Sequence, residues 1–180
     1  MNTIMTILSV VIAVCLILIF LTATYNHFQD YIIRINEADV SIDAVLRKRF
    51  DLLNKSIGII KSNIKEEKEI LTMIPNLRSK KITNFELDRG LYDAINEFHA
   101  LKEQYIELQD NKELTKIEIN LIESESEIVG LRKYYNDIVT DYNKLVKSAP
   151  SNIVAKIKGY KAKDYFDGTN VDKNKGTVKL

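Results

Sequence analysis

Residues 114–149, LTKIEINLIESESEIVGLRKYYNDIVTDYNKLVKSA, carry an apolar, aromatic or small side chain at every third or fourth position: Leu114, Ile117, Leu121, Ser124, Ile128, Leu131, Tyr135, Ile138, Tyr142, Leu145 and Ala149. A helix turns once in about 3.6 residues, so these side chains share one stripe. A strand, with a period of about two, could not gather them. Such a stripe is the mark of a helix with one side against a core. Asp110 and Glu113 read as a capping box, N-cap and N3, at the start. Pro150 closes the end, because its ring clashes with the preceding turn. The spacing predicts a helix of about 38 residues, roughly 57 Å long. Gly130 inside it is either a weakness or a point where a neighbouring backbone comes close.

Towards the N-terminus a second seam, Leu87, Leu91, Ala94, Phe98, Leu101, Tyr105 and Leu108, predicts another amphipathic helix. His99 lies beside that seam without the second His, the Cys or the carboxylate cluster that a metal site needs. PNLRSKKITN, residues 75–84, is a basic connection containing Arg78, Lys80 and Lys81. Upstream of it the register Phe28, Ile32, Ile35, Asp39, Ile42, Leu46, Arg49, Leu53, Ser56, Ile60, Asn63, Glu67, Ile70, Ile74 is unbroken by proline from Tyr25 to Pro75. One helix is therefore expected through residue 74, about 49 residues and roughly 73 Å past residue 25. Gly58 is a soft point in it. Towards the C-terminus, Ser151-Asn152 reads as the cap of a short helix bearing Ile153, Val154 and Ile157, with Gly159 as its stop. Residues 167–180, DGTNVDKNKGTVKL, bury too little apolar surface to offset the entropy of ordering and read as a flexible polar tail.

The charges divide the chain into two materials. The sequence has 26 Lys and Arg against 25 Asp and Glu, and none of them precedes Asp30. Ile4 to Ala23 reads IMTILSVVIAVCLILIFLTA, twenty residues without a charge. A helix of that length spans about 30 Å, the hydrocarbon thickness of a bilayer. Thr6, Ser9 and Thr22 can bond back to their own backbone there, and Tyr25 suits the interface just beyond. A cleaved signal peptide would need a basic n-region, a shorter apolar run and a small-residue cleavage box. No basic residue precedes this run, and Thr22-Ala23-Thr24 is a poor box. A retained single-pass anchor over residues 1–24 is the reading, with Cys15 an inert thiol in apolar surroundings. Arg34 is the basic residue nearest the span, which places the C-terminal domain on the cytoplasmic side by the positive-inside rule.

The expected fold is all-α: an N-terminal transmembrane helix continuing into an antiparallel bundle of three long helices plus a short C-terminal helix. The bundle domain covers residues 25–166, with 25–47 as a neck between bilayer and bundle. The near-neutral charge balance excludes a dedicated nucleic-acid binder. There is no Gly-rich phosphate loop, no His/Cys metal spacing and no Ser-His-Asp set, so no cofactor or metal is expected.

Several stretches resemble the LemA family. Ile42, Asp43, Leu46, Arg47, Lys48, Arg49, Phe50, Asp51, Leu52 and Glu67 match its first signature. Glu125, Ile128, Arg132, Tyr135, Asn136, Val139, Tyr142 and Asn143 match its E..I...R..YN..V..YN run. Pro150, Asn152, Ala155 and Gly159 resemble the stretch that follows, Tyr165-Phe166 its closing aromatic pair, and Tyr25-Asn26 fits as well. The resemblance covers residues 1–166. Where the family has a Pro-Asn pair, a Tyr-Pro and a Phe-Pro, this chain has Asn54-Lys55, Tyr105-Ile106 and Ala149-Pro150. The resemblance implies a small membrane-anchored helical bundle in bacteria without established enzymatic activity.

The polar residues near the seams form a candidate structural network: Arg49, Glu67, Arg132, Tyr135, Asn136, Tyr142 and Asn143. If the chain folds back at Pro75, descends, and rises again from Asn111, Glu67 and Arg132 stand at similar height and are expected within salt-bridge or one-water distance. Tyr135-Asn136 and Tyr142-Asn143 are two turns apart, so both tyrosines share the core face and both asparagines the adjacent one. The functional reading is a scaffold or protein-interaction module whose partners are the lipid bilayer and either an unidentified protein or a second copy. The rival is a membrane-tethered enzyme or small-ligand domain, which would need a deep pocket gathering three or more of Glu67, Arg132, Asp51 and Tyr135.

Overall fold

A computed structural model describes residues 2–64, 74, 75, 77 and 82–166. Five helices have their full bounds among them: α1 (Asn2–Asn63), α2 (Asn84–Gln104), α3 (Ile106–Gln109), α4 (Lys112–Lys147) and α5 (Ser151–Lys158); Ile74, Pro75 and Leu77 are helical as well. No strand occurs among the described residues, and the all-α expectation holds. The expected tail, 167–180, lies outside the described residues, as do Glu67, Arg78, Lys80 and Lys81.

The chain packs as two compact units. The first comprises residues 1–37 and 135–180, the second residues 38–134. In the second, Ile42, Leu46, Leu53, Ile57 and Ile60 of α1, Leu91, Ala94, Phe98 and Leu101 of α2 and Leu114, Ile117, Leu121 and Ile128 of α4 are all buried. The α4 seam in this unit is the stripe expected from the sequence. In the first unit, Phe28 and Ile35 are buried with Ile138, Val139, Tyr142, Val154 and Phe166. The Phe28 ring lies 4.7 Å from that of Tyr160 and 6.0 Å, edge-on, from that of Tyr142.

The expected neck is therefore not bare. Phe28, Ile35, Ala38, Ile42, Val45 and Leu46 are all buried within the chain. The last turns of α4, then α5 and residues 160–166, sheathe the first part of it. Helix directions explain this. In the second unit Asp39 accepts a hydrogen bond from Asn84 at 3.1 Å, and Arg49 pairs with Asp88. Residue numbers thus increase together on α1 and α2, which run parallel. Lys102 bonds Glu118 while Arg132 bonds Asp88, so α4 runs antiparallel to α2. The expected fold-back, with α2 opposed to α1, gives way to this arrangement. Twenty residues separate α1 from α2. An extended chain of that length reaches about 66 Å, against roughly 36 Å for the 24 residues of α1 from Asp39 to Asn63.

Four helix ends also differ from expectation. α1 stops at Asn63 rather than 74; Ser62 and Asn63 both bond the Ile59 carbonyl through their side chains, at 2.7 Å each, and such polar side chains compete with the backbone ladder. The second seam is broken at Tyr105, which is extended (φ −116°, ψ 117°). Where the family has proline after this tyrosine the chain has Ile106, and the break is kept. The N-cap of α4 is Asn111, not Asp110: its Oδ1 accepts from the N–H groups of Glu113 and Leu114 at 3.0 and 3.1 Å. The described capping box sits instead on α2. There the Thr83 hydroxyl accepts from the Glu86 N–H at 3.3 Å, and the Glu86 carboxylate accepts from the Thr83 N–H at 2.9 Å. That N–H, and then the Thr83 hydroxyl, hold the Glu86 carboxyl below its ordinary pKa.

Pro150, not Ser151, occupies the N-cap of α5. The Ser151 hydroxyl donates to the carbonyls of Leu145 and Ser148, tying α5 to the end of α4. Gly159 stops α5 as expected, at φ 73°, where any Cβ would be strained.

Candidate functional site

Two polar constellations stand out, one in each unit. In the second unit Arg49 (α1), Asp88 (α2), Glu125 and Arg132 (both α4) form a buried charge cluster. Arg49 Nη2 donates to Glu125 Oε2 at 2.5 Å, and its Nη1 lies 3.5 Å from Asp88 Oδ1. Arg132 Nη2 donates to the same Asp88 oxygen. The Arg49 side chain is 1% exposed and that of Asp88 7%, while Arg132 and Glu125 are 28% and 40% exposed. Two positive and two negative charges balance. A guanidinium offers donors only, so this geometry holds the two carboxylates in place. A shared buried carboxylate between two arginines fixes the register of three helices more than it adds net stability.

The expected network is thereby partly redrawn. Arg49 and Arg132 do share one cluster, with Asp88 as the link; the expected partner Glu67 lies outside the described residues. Asp88 was legible only as an acid three residues before Leu91, on the edge of the α2 seam. A neighbouring polar trio was not singled out. Glu118 meets His99 Nδ1 at 3.1 Å and is bonded by Lys102, which also reaches the Thr115 hydroxyl at 3.2 Å. Burial pushes the Glu118 carboxyl up, but the hydrogen bond and charge of Lys102, with His99 behind it, outweigh this and hold it below its ordinary value.

In the first unit the paired Tyr-Asn residues of α4 grip the extended residues 161–166. Asn143 Nδ2 donates to the Lys163 carbonyl at 2.9 Å while its Oδ1 accepts from the Lys163 N–H at 2.8 Å. Asn136 Oδ1 accepts from the Phe166 N–H at 2.8 Å. Tyr135 serves the same strap, while Tyr142 packs on Phe28. The Tyr135 ring meets buried Phe166 edge-on at 6.1 Å. Burial, and then Tyr160 nearby, raise the Tyr142 hydroxyl pKa. Thr140 adds a bond to the Tyr165 hydroxyl at 3.3 Å. The asparagines thus bind the strap backbone rather than the tyrosine hydroxyls.

Of the residues that an enzyme pocket was expected to gather, Asp51 lines an open concavity with Asp43, Arg47 and Asn84, Arg132 is in the charge cluster, and Glu67 lies outside the described residues. No group of three or more His, Cys, Asp and Glu suited to a metal occurs among the described residues. Among them one helix is long and apolar enough to cross a membrane. Its apolar window has a mean hydropathy of 3.2, and none of that window is buried in the protein.

These features define an all-α protein with an N-terminal apolar helix compatible with membrane anchoring and a helical domain held by internal polar clasps. The LemA family profile matches residues 38–180, most of the chain, and the chain belongs to that family. LemA is not known as an enzyme family. No curated protein matches the chain.

Proposed function

We propose that this LemA protein is a membrane-anchored scaffold or protein-interaction module without a catalytic role, its domain on the cytoplasmic side. The outward face of α4 carries the reading. Ile119, Ile122 and Val129 are more than half exposed, and with Ser126 they repeat at the spacing of a second helical seam, opposite the buried one. A Cβ on Gly130 would meet nothing within 4 Å, so no backbone of the same chain approaches it. An exposed apolar stripe beside a glycine is a surface on which another helix can pack closely. The partner is a second protein or another copy of this chain.

In-membrane cross-linking from position 126, followed by mass spectrometry, tests this. A discrete partner or dimer, lost when Ile122 and Val129 are replaced by Asp, is the expected result. Monomer alone under all conditions would overturn the reading.

A further inference from the structure

The short helix α5 has a face that the bundle does not use. Ile153 and Ile157, one turn apart, are 56% and 71% exposed, while Val154 and Ala155 on the other side are buried. Residues 151–163 contain Lys156, Lys158, Lys161 and Lys163 and no Asp or Glu. Within its unit the helix has a definite place. Lys158 Nζ stands 5.1 Å from the centre of the Tyr25 ring. Gln29 Nε2 donates to the Tyr160 hydroxyl at 2.6 Å, and Thr24 is buried. All three residues of α1 fall within six residues of Ala23, the end of the apolar run.

We propose that α5 is a second membrane contact. It is an interfacial helix whose Ile153 and Ile157 enter the headgroup region of the bilayer that holds α1, while Lys156 and Lys161 meet the phosphates of acidic phospholipids. The inference rests on the anchor reading above. Apolar side chains with lysines beside them are what an interfacial helix presents to an anionic surface. A partner protein could also cover two isoleucines, but the position beside the end of the span and the wholly basic charge favour lipid. The helix is too short to bind a membrane alone. Tethered by α1, it meets the surface at high effective concentration, so modest contacts suffice.

The chain has no tryptophan, so single-tryptophan reporters test the idea in the full protein. Ile157→Trp and, independently, Ile153→Trp are placed in nanodiscs of phosphatidylcholine with or without phosphatidylglycerol, containing lipids spin-labelled near the headgroup. Ile12→Trp, with lipids labelled deep in the acyl chain, reports the anchor itself. The expected result is deep quenching of the anchor reporter in both lipids, and headgroup quenching of the two α5 reporters in the acidic discs. Neutralising Lys156 or Lys161 to Gln is expected to lower the docked-to-undocked ratio roughly fivefold each. A quenched anchor reporter with both α5 reporters unquenched would overturn the interfacial helix alone. Quenching of the α5 reporters that is equal without acidic lipid and insensitive to the lysines would overturn the headgroup contact. An unquenched anchor reporter would remove the anchor reading and the proposal together.

Discussion

Replacing Asp88 by Ala removes the carboxylate shared by Arg49 and Arg132. Arg49 is 1% exposed and Asp88 7%, so water screens their interaction little. After truncation Arg49 keeps Glu125, but the charge of its other nitrogens faces an apolar void. Removing one partner of a buried pair typically costs about 3–5 kcal/mol. Chains of this size lose about 2–4 °C of Tm per kcal/mol, so the unfolding midpoint of the full chain in mild detergent should fall by roughly 6–20 °C. The assay is helical circular dichroism against temperature, with denaturant midpoints as a second measure. The reasoning also fixes a rescue. Replacing Arg49 and Arg132 by Met together with Asp88→Leu leaves of the cluster only Glu125, whose side chain is 40% exposed and open to water, and should recover most of the loss. A midpoint shift below about 2 °C for Asp88→Ala, or a triple variant no better than the single one, would refute the argument that the cluster is a closed and mutually dependent unit.

Other consequences are equally specific. Asn143→Ala removes two hydrogen bonds to Lys163, worth about 2 kcal/mol together; amide exchange at 161–166 should accelerate while the α4 core keeps its protection, and unchanged exchange would show that the strap is held by other contacts. The Glu118 carboxyl is held below its ordinary value of 4.5, so its contribution is fully present above that pH and is lost as pH falls through the lower folded value. Denaturant midpoints below pH 4.5 should therefore decline less steeply in Glu118→Gln than in the parent, and parallel curves would contradict this. At Gly58 and Gly130 an added Cβ meets nothing within 4 Å. Alanine at either position should stabilise the chain by about 1 kcal/mol, read as a higher thermal midpoint; a lower one would show that the glycine is needed within the fold.

The sequence disclosed what depends on local periodicity. The α4 seam, the apolar run and the Gly159 stop follow from spacing within one element, and each stands where the residues place it. Pairings between elements were less legible. A helix pattern carries no sign of direction, and twenty residues between α1 and α2 permit return as readily as fold-back. Among the described residues Arg132 bonds Asp88, a partner on α2 that spacing within one helix does not reveal. Asp88 itself hides among ordinary surface acids, because only a neighbouring helix makes it a core residue. Caps were ambiguous for a related reason. Asp110 and Asn111 are both good N-cap residues, and the turn of α3 consumed the first. The Tyr-Asn repeat showed which faces of α4 its residues share, but the asparagines' partners lie on residues 163–166, an irregular segment that has no periodicity to read.

The central claim is that the apolar run of α1 lies in lipid while the helical domain stands in water. Cys15, the chain's one cysteine, sits midway along that run and is exposed in the isolated protein. Its reaction with a charged, water-soluble maleimide, compared with that of a cysteine placed at exposed Ala100 on α2, measures the claim in membranes open on both sides. The account expects Ala100→Cys to label promptly and Cys15 to stay unlabelled until the protein is denatured. Equal labelling of both in intact membranes would contradict it.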